Sequence, residues 1–162
     1  MSAGMQTCLA IQQAALVSAL MRGGVAPTGF EASRLQVAAE SLSRKRCRAA
    51  ARAWPALARA LGEEFRGRFA AYADTTPLPP HGGSLADGRG FADWLNDRGQ
   101  LPEDALLQIL AVDLRFKRNR TGLFPRKLLT IRAAWLTDPR RLVVAIRWPC
   151  LGERWLSLRW WR

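Results

Sequence analysis

Histidine is almost missing from this chain. His81 is the single copy in 162 residues, and only three cysteines, Cys8, Cys47 and Cys150, accompany it. Imidazole and thiolate are the usual holders of zinc and other transition metals. No two of these residues stand at a ligand spacing, so no metal site is expected. Three widely spaced cysteines also argue for reduced thiols rather than a disulfide framework. No apolar run approaches the ~20 residues that cross a bilayer. The apolar stretch 9–21 contains Gln12 and Gln13 and has no Lys or Arg before it, unlike a secretory signal. A cytoplasmic protein with no membrane association is expected. A glycine-rich phosphate loop, a nucleophile elbow, a His/carboxylate metal box and a Cys/His pair are all missing. Asp93, Asp97 and Asp113 have no counterpart for two-carboxylate catalysis. No catalytic residue and no cofactor is assigned, and the chain reads as non-enzymatic.

Acids are scarce in the last third. Residues 115–162 hold thirteen of the 25 Lys/Arg but only two of the 13 Asp/Glu, Asp138 and Glu153, so they carry +11 of the net +12. Four of the seven tryptophans, Trp148, Trp155, Trp160 and Trp161, lie in the final fifteen residues. Charge segregated in this way speaks of a partner rather than of a fold. At 162 residues and 49% hydrophobic, the chain is long and apolar enough for one domain with a small appendage.

The first two thirds read as helices. Thr7 is suited to cap a helix with Leu9, Leu16 and Leu20 on its inner face, stopped by Gly23-Gly24. Residues 31–52 are rich in Ala, Leu and Arg, all good helix formers. Their run Arg44-Lys45-Arg46-Cys47-Arg48 wraps around the helix, as a solvated surface does. Trp54-Pro55 breaks the ladder and starts a helix over 55–61, which Gly62 caps. Another helix begins at Glu63-Glu64 and carries the stripe Phe65, Phe69, Tyr72, read as core. Residues 74–84, with Pro77, Pro79, Pro80, Gly82 and Gly83, read as a loop holding a solvated His81. Asp87 is expected to cap a short helix with Phe91, Trp94 and Leu95 inward, and Asp87-Gly88-Arg89-Gly90 reads as that cap and turn. Pro102-Glu103-Asp104 opens a helix that runs to about Lys117.

After a loop at 119–125 the pattern becomes β. Strands are expected over 129–135, 142–148 and 154–161, joined by short turns, which favours an antiparallel meander. The fold class is α+β: a helical N-terminal domain (1–118) followed by a basic, three-stranded β-meander (119–162). Alternation puts Leu142, Val144, Ile146 and Trp148 on one face of the middle strand, expected to pack on the helices. The basic, aromatic remainder is left for a ligand, with Arg147, Arg154, Trp155, Arg159 and Trp161 as candidate binding residues. An unpaired sheet edge accepts a further strand.

One stretch carries a resemblance: Gln12/Gln13, residues 16–23, Lys45-Arg46, Trp54-Pro55 with Leu57, Leu61-Gly62 with Phe65, Phe69, Tyr72-Ala73, Pro77 and Pro79, and Asp87 with Phe91-Ala92 and Trp94-Leu95. In order and spacing this resembles the accessory partner proteins of multinuclear non-haem iron oxidases. That broad family includes the small partner subunit of methanobactin biosynthesis, and members once carried a DNA-binding label. The resemblance implies a helical domain joined to a small β-containing one. It also implies that iron and oxidation chemistry belong to a separate barrel-shaped enzyme, on which the partner docks while holding a precursor peptide, often by adding its leader as a strand. The alternative partner is nucleic acid, bound by stacking and phosphate contact on the basic, Trp-rich sheet.

Overall fold

The computed structural model describes residues 9–17, 29–137, 140–148 and 152–159. Residues 9–17 are helical (α1). They are followed by α2 (Ala32–Ala53), α3 (Pro55–Leu61), α4 (Glu64–Thr75) and α5 (Gly83–Asn96), then a 3-10 turn, Glu103–Ala105, and α6 (Leu106–Arg115). Five strands follow among the described residues: β1 (Phe116–Asn119), β2 (Gly122–Pro125), β3 (Thr130–Thr137), β4 (Arg140–Trp148) and β5 (Gly152–Arg159). β1 and β2 form a hairpin; β3, β4 and β5 form an antiparallel meander in that order. The protein is therefore α+β, helices first and a three-stranded antiparallel sheet last. No described helix is long and apolar enough to cross a membrane.

Trp54 is the pivot of the helical core. It ends α2, and Pro55, whose missing N–H suits a first turn, starts α3 at once. The Trp54 side chain is wholly buried and its Nε1 donates to Leu85 O at 2.9 Å. Gly88 lies against the indole, where a Cβ would overlap Trp54 Cδ1. Around this pivot Phe65, Phe69, Tyr72 and Phe91 pack edge-on, stacked or tilted, with centroids 5.2–5.8 Å apart, the separations aromatic pairs prefer. The stripe read as core is core.

Asp87 is a correction. It does not cap a helix: α5 begins four residues earlier, after Gly82 in a left-handed conformation (φ 89°). Asp87 is fully buried, and Arg46 holds it. Gly88 and Gly90 are mid-helix, made necessary by Trp54 and by the Tyr72 hydroxyl. The solvated reading of the basic run fits Arg44, Lys45 and Arg48, which are exposed, but not Arg46. The second correction is 119–125, which is a hairpin rather than a loop. Asn119 Oδ1 accepts from Thr121 N at 2.9 Å and turns the chain. His81 N donates to Thr121 O at 3.0 Å and Leu123 N donates to His81 O, so the proline-rich loop is stitched to the hairpin and Leu123 is drawn into the helical core. The boundary expected at 118/119 falls inside β1.

A second, smaller core lies between α6 and the meander. Leu110 and Leu114 of α6 meet Leu136, Val143 and Ala145, with Leu106, Leu107 and Ala134 around them. Val112 and Ile109 of the same helix belong to the helical core. An ion-pair network ties α6 and β1 to α5: Arg89 holds Asp113 through Nε (2.8 Å) and Nη2 (2.9 Å), and Asp93 receives both Arg89 and Arg118.

Candidate functional site

In an antiparallel ladder, residues directly opposite one another share a face. The registers β3–β4 and β4–β5 therefore sort every meander residue. The α6 side takes Thr130, Arg132, Ala134 and Leu136 of β3, Arg141, Val143, Ala145 and Arg147 of β4, and Glu153, Trp155, Ser157 and Arg159 of β5. The opposite side takes Ile131, Ala133 and Trp135, then Leu142, Val144, Ile146 and Trp148, then Arg154, Leu156 and Leu158. The expected packing is overturned: Val143 and Ala145, not Leu142, Val144, Ile146 and Trp148, meet the helices. The reason is size. Small residues on the sheet let α6 come close, and its leucines fill the space between.

The inversion leaves a broad apolar face in solvent. Ile131, Trp135, Trp148, Leu156 and Leu158 are between 44% and 59% exposed, and the partly buried Leu142, Val144 and Ile146 of β4 link the outer strands between them. Single exposed apolar side chains need no explanation, but a contiguous patch of large ones marks an interaction surface. Arg140 and Arg154 share this face and are exposed.

The sequence-predicted binding residues divide between the two sides. Trp155 stands opposite Ala145 on the α6 side, Arg159 opposite Arg141, and Arg147 opposite Glu153. Arg154 projects to the apolar side, opposite Ile146. Trp161 lies outside the described residues. Arg147 is committed internally: its Nη1 donates to Arg126 O at 2.9 Å, and its Nε lies 3.9 Å from Glu153 Oε1. Glu153 also takes Arg115 bidentately, at 2.6 and 2.9 Å. The hydrogen bond from Arg115 holds the Glu153 carboxyl below its usual range, and the same contact raises Arg115. Trp155 and Arg159 remain exposed on the edge strand.

One residue escaped the sequence reading. Arg141 sits on the α6 side, and its Nε is buried with no acceptor. Its signal was there: it is six residues before Arg147, hence on the same face of the same strand. Among the described residues no group of three or more His, Cys, Asp or Glu is placed to hold a metal ion.

The protein family described as "SCO6045-like, C-terminal domain" matches residues 10–97. That segment takes in α1 to α5 and stops before α6 and the sheet. A "UPF0276 protein" of Streptomyces avermitilis is 43% identical over 97 residues, which is 60% of this chain. The matched part spans 19% of that relative's length. No solved structure gives a significant match.

Proposed function

The chain belongs to the SCO6045-like C-terminal domain family, and from that starting point we propose that it is a non-catalytic partner which docks on a multinuclear non-haem iron oxidase and presents a precursor peptide to it in the cytoplasm. The observation that carries the reading is the two-sided sheet. Its apolar solvent face suits a globular protein surface, and its free edge strand suits an extended peptide. Arg154 and Arg140 beside the apolar patch favour a partner with an acidic rim, because charge complementarity of this kind selects and steers partners. The local balance of +11 also disfavours a second copy of the chain, which would bring like charges together. In the Streptomyces avermitilis relative the matched segment is 19% of the chain, an arrangement suited to a module that works against another protein body. Arg147, Arg154, Trp155, Arg159 and Trp161 remain the residues proposed to meet the peptide. Of the described ones, Trp155 and Arg159 are the best placed, being exposed on one side of the edge strand.

Co-expression with the oxidase and a candidate precursor tests the proposal. A complex that co-elutes on size exclusion is expected. Trp155→Ala with Arg159→Ala should lower peptide capture while oxidase docking persists. Absence of any complex would defeat the reading. Nucleic acid draws on the same cations, and it is separated by salt: its affinity would fall steeply and log-linearly with ionic strength, whereas an apolar-centred protein interface is far less sensitive.

A further inference from the structure

The β4–β5 register sets Arg141 directly opposite Arg159. Like charges in that position weaken a strand pair. At the far end of the same ladder the problem does not arise, because Arg147 stands opposite Glu153. At the Arg141 end nothing within the described residues answers the charge. Among the described residues neither guanidinium has a hydrogen-bond or ion-pair partner, and Arg141 Nε is buried without an acceptor. A buried donor left unmet is uncommon in native structures and calls for an explanation. Arg141 Nε is closed to solvent, but the residue is only partly buried and Arg159 is exposed, so the outer N–H donors of the pair suit an oxyanion.

We infer that Arg141 and Arg159 are the two jaws of a carboxylate clamp that takes an acidic side chain from an extended peptide lying along β5. The inference rests on the peptide-presenting reading above. It adds the kind of residue the peptide carries and an arginine that the sequence did not single out. Neighbouring strands lie ~4.8 Å apart. A strand added to the β5 edge would place a side chain about 5 Å from Arg159 and about 10 Å from Arg141, within reach of extended side chains from both partners. Along β5 on the same side come Ser157 and then Trp155, both exposed. The matching ligand therefore has an acid opposite Arg159 and an apolar residue four positions away, over Trp155.

Two synthetic eight-residue β-prone peptides test this by fluorescence anisotropy. Both carry Leu four positions from the clamp position, where one has Glu and the other Gln. The wild-type protein should bind the Glu peptide about tenfold more tightly, the worth of a charge-assisted hydrogen bond. Arg141→Gln and Arg159→Gln should each bring the two affinities together while leaving the Gln peptide unaffected. Discrimination that survives both substitutions overturns the clamp. If neither peptide binds the wild type, the peptide-presenting reading fails, and the clamp is judged by thermal melting instead. Glutarate, compared with chloride at equal ionic strength, should raise the Tm of the wild type but not of Arg159→Gln. No shift, or an equal shift in the variant, overturns the clamp. A larger shift with inorganic phosphate overturns the carboxylate assignment.

Discussion

Arg46 reaches across 41 residues of sequence to grip Asp87 with two hydrogen bonds, Nε to Oδ2 at 2.8 Å and Nη2 to Oδ1 at 2.7 Å. A third, from Nη2 to Thr76 O at 2.9 Å, ties the end of α4 to the same guanidinium. The Asp87 carboxylate is wholly removed from water, and the Arg46 guanidinium also lies 5.8 Å from the ring centres of Phe69 and Tyr72. A charge pair in such a place is worth little against a well-packed apolar substitute, but breaking one half strands the other.

Asp87→Ala is therefore expected to lose about 3–5 kcal/mol of folding stability, read by urea denaturation. Arg46→Met combined with Asp87→Leu should recover most of that loss. A single-substitution loss below about 1 kcal/mol would mean that Arg46 is not stranded by the loss of its partner.

Tyr72 is the protein's only tyrosine, so its phenolate absorbance reports one site. Its hydroxyl donates to Asp87 Oδ1 at 3.3 Å. Burial first, and the Asp87 charge second, push its pKa well above the ordinary 10.0. The folded state thus holds this proton more tightly than the unfolded chain. The stability involved is intact below pH 10.0 and drains away as pH climbs above it. The native protein should show no phenolate signal at pH 10.0, whereas the urea-unfolded chain should be half ionised there. A native titration at the ordinary value would contradict the buried contact.

Substitutions on β4 and β5 separate the two sides of the meander. Val143→Asp buries a lone charge against Leu110 and Leu114 and should cost about 3 kcal/mol or more. Leu156→Asp, at a side chain 57% exposed, should change stability by no more than about 0.5 kcal/mol. The same substitution should sharply reduce capture of the oxidase. Melting curves and co-purification read the two effects apart. Equal destabilisation by both would mean that the faces have been assigned the wrong way round.

Glu153→Gln tests the charge-matched end of the β4–β5 ladder. The folded carboxyl is held low, chiefly by the hydrogen bond from Arg115. Its stabilising effect is therefore present above the ordinary carboxylate range and disappears as pH falls through the lowered folded value. Because Arg115 is 55% exposed, the effect at neutral pH is screened to about 1 kcal/mol or less. Wild type and variant should differ modestly at pH 7 and converge in acid; a gap that persists there would rule out the linkage.

The helical body was legible because its signals are local. Pro55 and Gly62 punctuate α3, and the Phe65, Phe69, Tyr72 spacing is that of one helix face. Asp87 was not legible. A carboxylate before glycines looks like a cap until Arg46, far away in sequence, is known to sit beside it. The meander was visible in its strands and their order but not in which side met the helices. Both sides of β4 carry apolar residues, so alternation defines two faces without ranking them. The smaller side won because α6 brings the bulk. The β1–β2 hairpin was hidden for another reason: its four-residue strands are fixed by the Asn119 turn and by the backbone of His81, and neither leaves a hydrophobic period. Arg141 was missed for a simpler reason: the strand expected over 142–148 begins at Arg140, so Arg141 fell outside it.

Helix α6 belongs to two interiors at once, with Val112 in one and Leu114 in the other. Bundle and meander should therefore melt in a single cooperative transition, with slow-exchanging amides in both halves released together. Whatever settles on the β-strands would then be felt as added rigidity in a helical bundle it never touches.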